Sequence, residues 1–192
     1  MPNWVYNTVT IKGDDMPLAL FKQRVKNPYK TVNTIFNTDS TTTFVEDEVD
    51  EVFSFWNIIK PSAEELYEYN HNVDGIPFWW GWNVANWGTK WDACETSIVE
   101  DKVNLLQYRF DTAWAMPMPV MVEASKQYKD LTFHIHYEEE QGWGGEVTLI
   151  NGEVISEKFW DVPESHKDYE YIGDECLCGG DGEKVFDDCP SK

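Results

Sequence analysis

The 192-residue chain is poor in three things: cysteine, basic residues and long apolar runs. Four cysteines are too few for a disulfide scaffold of this size, and three of them (Cys176, Cys178, Cys189) fall in the last seventeen residues. In a reducing compartment they are expected to stay thiols unless a metal holds them. No stretch approaches the roughly 20 apolar residues of a membrane span. Met1-Pro2-Asn3-Trp4 does not open a basic-then-apolar leader. The expectation is a soluble cytoplasmic protein that makes no membrane contact. Fifteen Lys and Arg stand against 35 Asp and Glu, a formal charge of -20. That field repels nucleic acid and anionic lipid and attracts basic surfaces, so direct nucleic-acid binding is not expected. A well-solvated, aggregation-resistant surface would have the same composition.

What the chain does have is tryptophan. Half of its ten tryptophans (Trp79, Trp80, Trp82, Trp87, Trp91) lie within thirteen residues. Such a cluster either builds a core or lines a cleft where flat groups stack, and core is the commoner outcome. Trp87 and Trp91 are expected to be mostly buried.

Strand and helix signals alternate along the sequence. Trp4 to Ile11 is rich in β-branched and aromatic residues and stops at Gly13, as a strand does. Asp14-Asp15 before Met16-Pro17 opens a helix with the stripe Leu18, Phe21, Val25, closed at Asn27-Pro28. Residues 29–52 read as a polar, then acidic, excursion with a short strand at Thr31 to Phe36. Val52 to Ile59 reads as a strand, and Ser62-Ala63-Glu64-Glu65 has capping-box spacing before a short helix. Trp80, Val84 and Trp87 fall at helical spacing ahead of Gly88. Residues 104–113 and 131–138 read as strands, with a helix opened by Pro117 and Pro119 between them. Asn151-Gly152 marks a hairpin over 145–159. This order gives an α+β, ferredoxin-like split βαβ antiparallel sheet with an aromatic-rich helical insertion and an added C-terminal β-hairpin. One domain is expected over 1–160, with insertions at about 28–52 and 60–100, followed by an acidic, Cys-containing tail over 161–192. Helices on one face of such a sheet leave the other open.

Several stretches stand out as motifs. They are Pro2-Asn3-Trp4 with Asn7, Phe53-Ser54-Phe55 through Ile58-Ile59 to Pro61, and Asn86-Trp87-Gly88-Thr89-Lys90-Trp91-Asp92-Ala93. Phe110-Asp111-Thr112-Ala113-Trp114 with its following prolines, and Tyr137-Glu138 with Gly142 and Gly145, complete the set. The Asn-Trp-Gly-Thr-Lys-Trp-Asp run is the most specific of these, and together they resemble the YubB ferredoxin-like (Api-like) family of bacteriophages, plasmids and bacterial genomes. The resemblance implies a ferredoxin-like fold and a mobile-element origin, and hence the host-cell cytoplasm, but no activity. Val5 stands where many relatives carry Cys, so thiol chemistry assigned to that position does not transfer. The prolines after Trp114 are spaced by methionine, as Met116-Pro117-Met118-Pro119.

Four groups of residues are candidates for function. The block Glu46, Asp47, Glu48, Asp50, Glu51 and the run Glu138, Glu139, Glu140 offer acidic contacts to a basic partner. Trp87, Lys90, Trp91, Asp92, Asp111 and Trp114 offer a ligand pocket in which Lys supplies charge and Trp the stacking face. A buried ion pair with the Lys stem packed on indole accounts for the same residues. His134, His136 and Glu138 share one strand face, a pattern for metal or acid–base work that a solvent-facing strand also produces. No cofactor is expected. Were zinc bound, its ligands would be Cys176, Cys178 and Cys189 with His166, although the Cys-x-Cys spacing is tighter than zinc knuckles favour. The first functional expectation is a non-enzymatic protein that binds a basic host protein, as a DNA-mimicking inhibitor of a defence or nucleic-acid-binding factor would. The alternative is a small-ligand or nucleotide-binding or -processing protein using the Trp pocket.

Overall fold

A computed structural model describes residues 2–36, 42–70, 78–161, 171–172 and 175–176. Its centre is a six-stranded antiparallel sheet in the order β4-β5-β1-β6-β7-β8. The strands are β1 (Trp4–Lys12), β4 (Cys94–Lys102), β5 (Leu105–Ala113), β6 (Thr132–Glu139), β7 (Gly144–Ile150) and β8 (Glu153–Trp160). Helices α1 (Asp15–Val25) and α4 (Met118–Gln127) make the crossovers β1-α1-β4 and β5-α4-β6. The four strands β4-β5-β1-β6 therefore carry the split βαβ order, and the fold is ferredoxin-like α+β with a hairpin added beside β6.

The strand alternation decides which face is core. Val5, Val9 and Ile11 of β1, Tyr108 and Phe110 of β5, and Phe133 and Ile135 of β6 are fully buried. Against them pack Leu18, Phe21 and Val25 of α1, the stripe read from the sequence, and Val120, Met121 and Ala124 of α4. The hairpin forms where Asn151-Gly152 places it, with φ of 50° and 79°, the paired positive values a tight two-residue turn needs. The capping box is present: Ser62 N donates to Glu65 Oε2 at 2.9 Å and Glu65 N to Ser62 Oγ at 3.2 Å. It opens the short helix α2 (Glu65–Asn70).

One expectation needs correction. Residues 52–59 are not a strand. Phe53 to Ile58 are all buried, without alternation, and the backbone turns, with Ile58 N and Ile59 N both donating to Phe55 O at 2.9 Å. The segment lies on the inner face of the sheet, where Phe53 stacks on Phe110 at 5.0 Å and 8°. Side chains take over the work of a ladder: Asn57 Nδ2 donates to Val25 O (3.1 Å) and Asn27 O (2.8 Å), and Arg24 Nε to Asn57 O (2.6 Å). The second strand of the split motif is instead β4, so residues 26–93 form one continuous excursion between α1 and β4. Within it, β2 (Tyr29–Phe36) and β3 (Thr42–Val49) make a separate two-stranded sheet, and α3 (Phe78–Trp87) carries the tryptophans. Helix α3 forms ahead of Gly88, as the spacing of Trp80, Val84 and Trp87 suggests; its buried face is Trp82, Asn83 and Trp87, while Trp80 and Val84 are exposed. Among the described residues no helix is long and apolar enough to cross a membrane.

Candidate functional site: a tryptophan and carboxylate surface

The candidate site starts from the end of α3. Gly88, at φ +85°, terminates the helix, and a Cβ there would lie 2.5 Å from Pro119 Cδ. Three side chains then fix the loop that follows. Asn83 Nδ2 donates to Lys90 O (2.8 Å), with Tyr69 OH donating in turn to Asn83 Oδ1 (2.9 Å). Thr89 Oγ1 donates to Ala113 O (2.9 Å) and accepts from Ala113 N (3.1 Å), tying the loop to the end of β5. Asp92 turns toward the core. Its carboxylate accepts from Ser54 Oγ (2.7 Å), Phe55 N (2.6 Å), Ala93 N (2.7 Å), Tyr29 OH (3.0 Å) and Trp56 N (3.3 Å). Burial pushes this carboxyl above the usual range, opposed by the bonds from Ser54, Phe55, Ala93 and Tyr29.

Lys90 goes the other way. Its Nζ lies 4.7 Å from the Trp91 ring centroid, 5.2 Å from Trp114 and 5.5 Å from Trp80. Trp91 and Trp114 are stacked at 6.5 Å and 26°, and Trp4 packs on Trp91 at 5.9 Å. These rings come from four places in the chain, and the β1–β5 register brings two of them together by pairing Trp4 with Ala113. Trp114 N donates to Asn3 O at 2.9 Å, with Trp114 itself at φ +68°. A bulky residue in the left-handed region is uncommon and strained. Trp80 and Trp114 remain 42% and 44% exposed.

Beside the tryptophans runs a row of residues across the open face of the sheet. Register aligns Cys94, Asp111, Tyr6, Glu138, Gly144 and Trp160 on successive strands. Glu95 acts on Asp111, and the charges of Glu140 and Asp111 reach Tyr6, whose hydroxyl is pushed up by burial and by these acids. Glu140 adjoins the tryptophans directly, its backbone N donating to Trp4 O at 3.1 Å. Burial and the charges of Asp92, Asp111, Glu95 and Glu51 push the Cys94 thiol up to about 11. In a variant keeping only Cys94, with Cys176, Cys178 and Cys189 replaced by Ser, iodoacetamide labelling at pH 8 should run roughly a hundredfold slower than for an ordinary exposed thiol. Labelling should accelerate only as pH approaches 11. A rate matching an unfolded control at pH 8 would contradict this environment.

The structure thus divides the expected sites. Of the proposed pocket, Lys90, Trp91 and Trp114 meet, whereas Trp87 (2% exposed) and Asp92 belong to the core side. Trp87 is buried and Trp91 mostly so, as expected of both. Asp111 sits in the acidic row. Glu46, Asp47 and Glu48 are exposed on β3 and Asp50 and Glu51 just beyond it, with Lys30 Nζ 3.7 Å from Glu46 and Thr96 Oγ1 donating to Glu51 (2.6 Å). Glu138 and Glu140 are exposed, but Glu139 is not available to a partner. It continues the buried set Phe133, Ile135, Tyr137 and is 1% exposed, its Oε2 accepting from Gln141 N at 2.7 Å. His134 and His136 lie on the open face, one bonded to Thr148 Oγ1 at 3.1 Å and the other packed on Trp160 at 5.5 Å. Among the described residues no group of three His, Cys, Asp or Glu side chains is placed to hold a metal. Cys176 ends the short strand β10 (Glu175–Cys176), which pairs with β9 (Tyr171–Ile172). Cys178, Cys189 and His166 lie outside the described residues. Sequence reasoning missed Trp4, Trp80 and Tyr6 as members of this surface. The parity of β1, with Trp4 and Tyr6 opposite the core set Val5, Val9 and Ile11, was the available signal.

Comparison with known proteins supports the fold. Residues 86–175 match the family described as a ferredoxin-like domain in Api92-like protein. The crystal structure of the protein api92 from Yersinia pseudotuberculosis is similar at a TM-score of 0.62 with 10% identity, covering 86% of this chain and 100% of that one. These findings agree with the Api-like resemblance, and at that identity the structural likeness speaks for fold alone. A search of curated proteins returns no match.

Proposed function

We propose that this chain is a mobile-element protein of the YubB type that acts by binding a host protein with a basic surface. In the manner of a DNA mimic, it would occupy a surface that otherwise meets nucleic acid in a defence or nucleic-acid-binding factor. The observation that carries this reading is the alignment of Asp111 and Glu138 across the open sheet face, with Glu95 and Glu140 beside them and exposed tryptophans at the same end. A chain of charge -20 steers basic partners to such a face, and aromatic side chains supply contact area once they arrive. The exposed acids of residues 46–51 extend the attraction past the β4 edge, where Glu51 meets Thr96. The alternative pocket loses support because Trp87 and Asp92 face away from Lys90.

Complexes captured from host lysate should weaken steeply with salt, since exposed charges more than about 10 Å apart are screened at 0.1 M. Replacing Glu46, Asp47, Glu48, Asp50 and Glu51 together with Glu138 and Glu140 by Gln or Asn should slow association at least tenfold while changing dissociation much less. Binding that survives both the substitutions and 0.5 M salt would rule this reading out.

A further inference from the structure

We infer that the tryptophans around Lys90 form a recognition cage for an arginine side chain of the partner, with Lys90 as the cage's own resident cation. The inference rests on the proposed acidic docking face and names the group that face selects. Lys90 Nζ is within 6 Å of the Trp80, Trp91 and Trp114 centroids, the range in which ring faces attract a cation. Among the described residues no carboxylate is in ion-pairing contact with it, in a chain holding 35 acids. Within the described residues the cation is held by indole faces.

Three further observations point outward from the cage. Trp80 and Trp114 expose 42% and 44% of their surface, so the rings are open to a partner. Trp114 keeps its place at φ +68°, a conformation that costs energy and persists only where the surroundings impose it. Acids lie close by: the Glu140 backbone bonds to Trp4, and register aligns Asp111 and Glu138 with Tyr6, two residues along β1 from Trp4. An anionic ligand would need Lys90 but would meet that row. A cation is drawn by that row and by the ring faces, and is opposed only by Lys90, which has to move aside for it. Arginine fits better than lysine, because a planar guanidinium stacks on indole while its N–H fork reaches a carboxylate, and it is less strongly hydrated. Lys90 has a long flexible stem and can swing to water, which leaves the rings free for the incoming group.

The test uses nona-arginine and nona-lysine peptides of equal charge, titrated into the full chain at about 50 mM salt with tryptophan emission and calorimetry as readouts. The expected result is tighter binding of nona-arginine, by about fivefold. Lys90→Ala should raise its affinity a further severalfold by emptying the cage. Trp114→Gly, which suits the left-handed backbone, and Trp80→Ala on the exposed face of α3 should erase the preference and leave both peptides bound. Loss of nona-arginine affinity in Lys90→Ala would overturn the inference, as would a preference untouched by both tryptophan variants. Equal binding of the two peptides by every variant refutes the cage and leaves the acidic docking face standing. Failure of both peptides to bind at low salt refutes the docking face as well.

Discussion

Replacing Asp92 with alanine should lower the stability of the fold by about 3–5 kcal/mol, because the amides of Phe55 and Trp56 and the hydroxyls of Ser54 and Tyr29 lose their acceptor together. Each buried donor left without a partner costs about 1–3 kcal/mol, and rotatable hydroxyls relax more easily than amides. Asp92 also joins three parts of the chain. It links the loop before β4, the turn of residues 53–58 and Tyr29 at the start of β2, where Tyr29 stacks on Trp56 at 5.2 Å and 9°. Asp92→Asn should not restore stability, since its NH2 group would face donors in a cluster that needs an acceptor on both oxygens. Urea denaturation followed by tryptophan emission measures the loss. A change under 1 kcal/mol in Asp92→Ala would mean the turn holds itself by packing alone.

Parts of the fold were readable from sequence because local signals agreed with the tertiary outcome. The stripe Leu18, Phe21, Val25, the Ser62–Glu65 box and Asn151-Gly152 each specify their element through short-range geometry, and each appears as read. Residues 52–59 misled because a short continuous apolar run suits a buried strand and a buried turn equally. The deciding partners, Asp92, Val25 and Asn27, are far from it in sequence. The edge strand β4, Cys-Glu-Thr-Ser-Ile-Val-Glu-Asp-Lys, gave little signal, for it buries little and is mostly polar. Edge strands are often charged in this way, which discourages pairing with another chain.

The candidate surface was legible in its parts but not in its assembly. Trp80, Trp91 and Lys90 are near one another in sequence, but Trp4 and Trp114 join them only through strand register. Glu139 shows the same limit at the scale of one residue. Composition makes it one of three adjacent acids, whereas alternation along β6 turns it to the core. The acidic row arises for the related reason that residues paired across an antiparallel sheet share a face. Charge counting gives the sign of the surface, and register gives its location.

Trp87→Ala should be as damaging as the loss of Asp92, at about 3–5 kcal/mol, the range for truncating a large aromatic side chain in a core. Trp87 is 2% exposed, packs edge-on to Trp82 at 5.7 Å and against Phe55 at 6.0 Å, and donates from Nε1 to Ile59 O at 2.9 Å. It is the contact through which α3 sits on the 53–59 turn. Its removal opens a cavity and leaves the Ile59 carbonyl without its donor. Trp114 and Trp80 are its opposites within the same aromatic group: exposed, ringed around a cation, and expected to matter for binding more than for folding. Thermal and urea denaturation of Trp87→Ala beside Trp80→Ala separates the two roles. A Trp87→Ala protein that keeps its melting temperature but changes in arginine-peptide binding would move Trp87 from the core into the binding surface. The division between a folding set and a recognition set of tryptophans would then have to be redrawn.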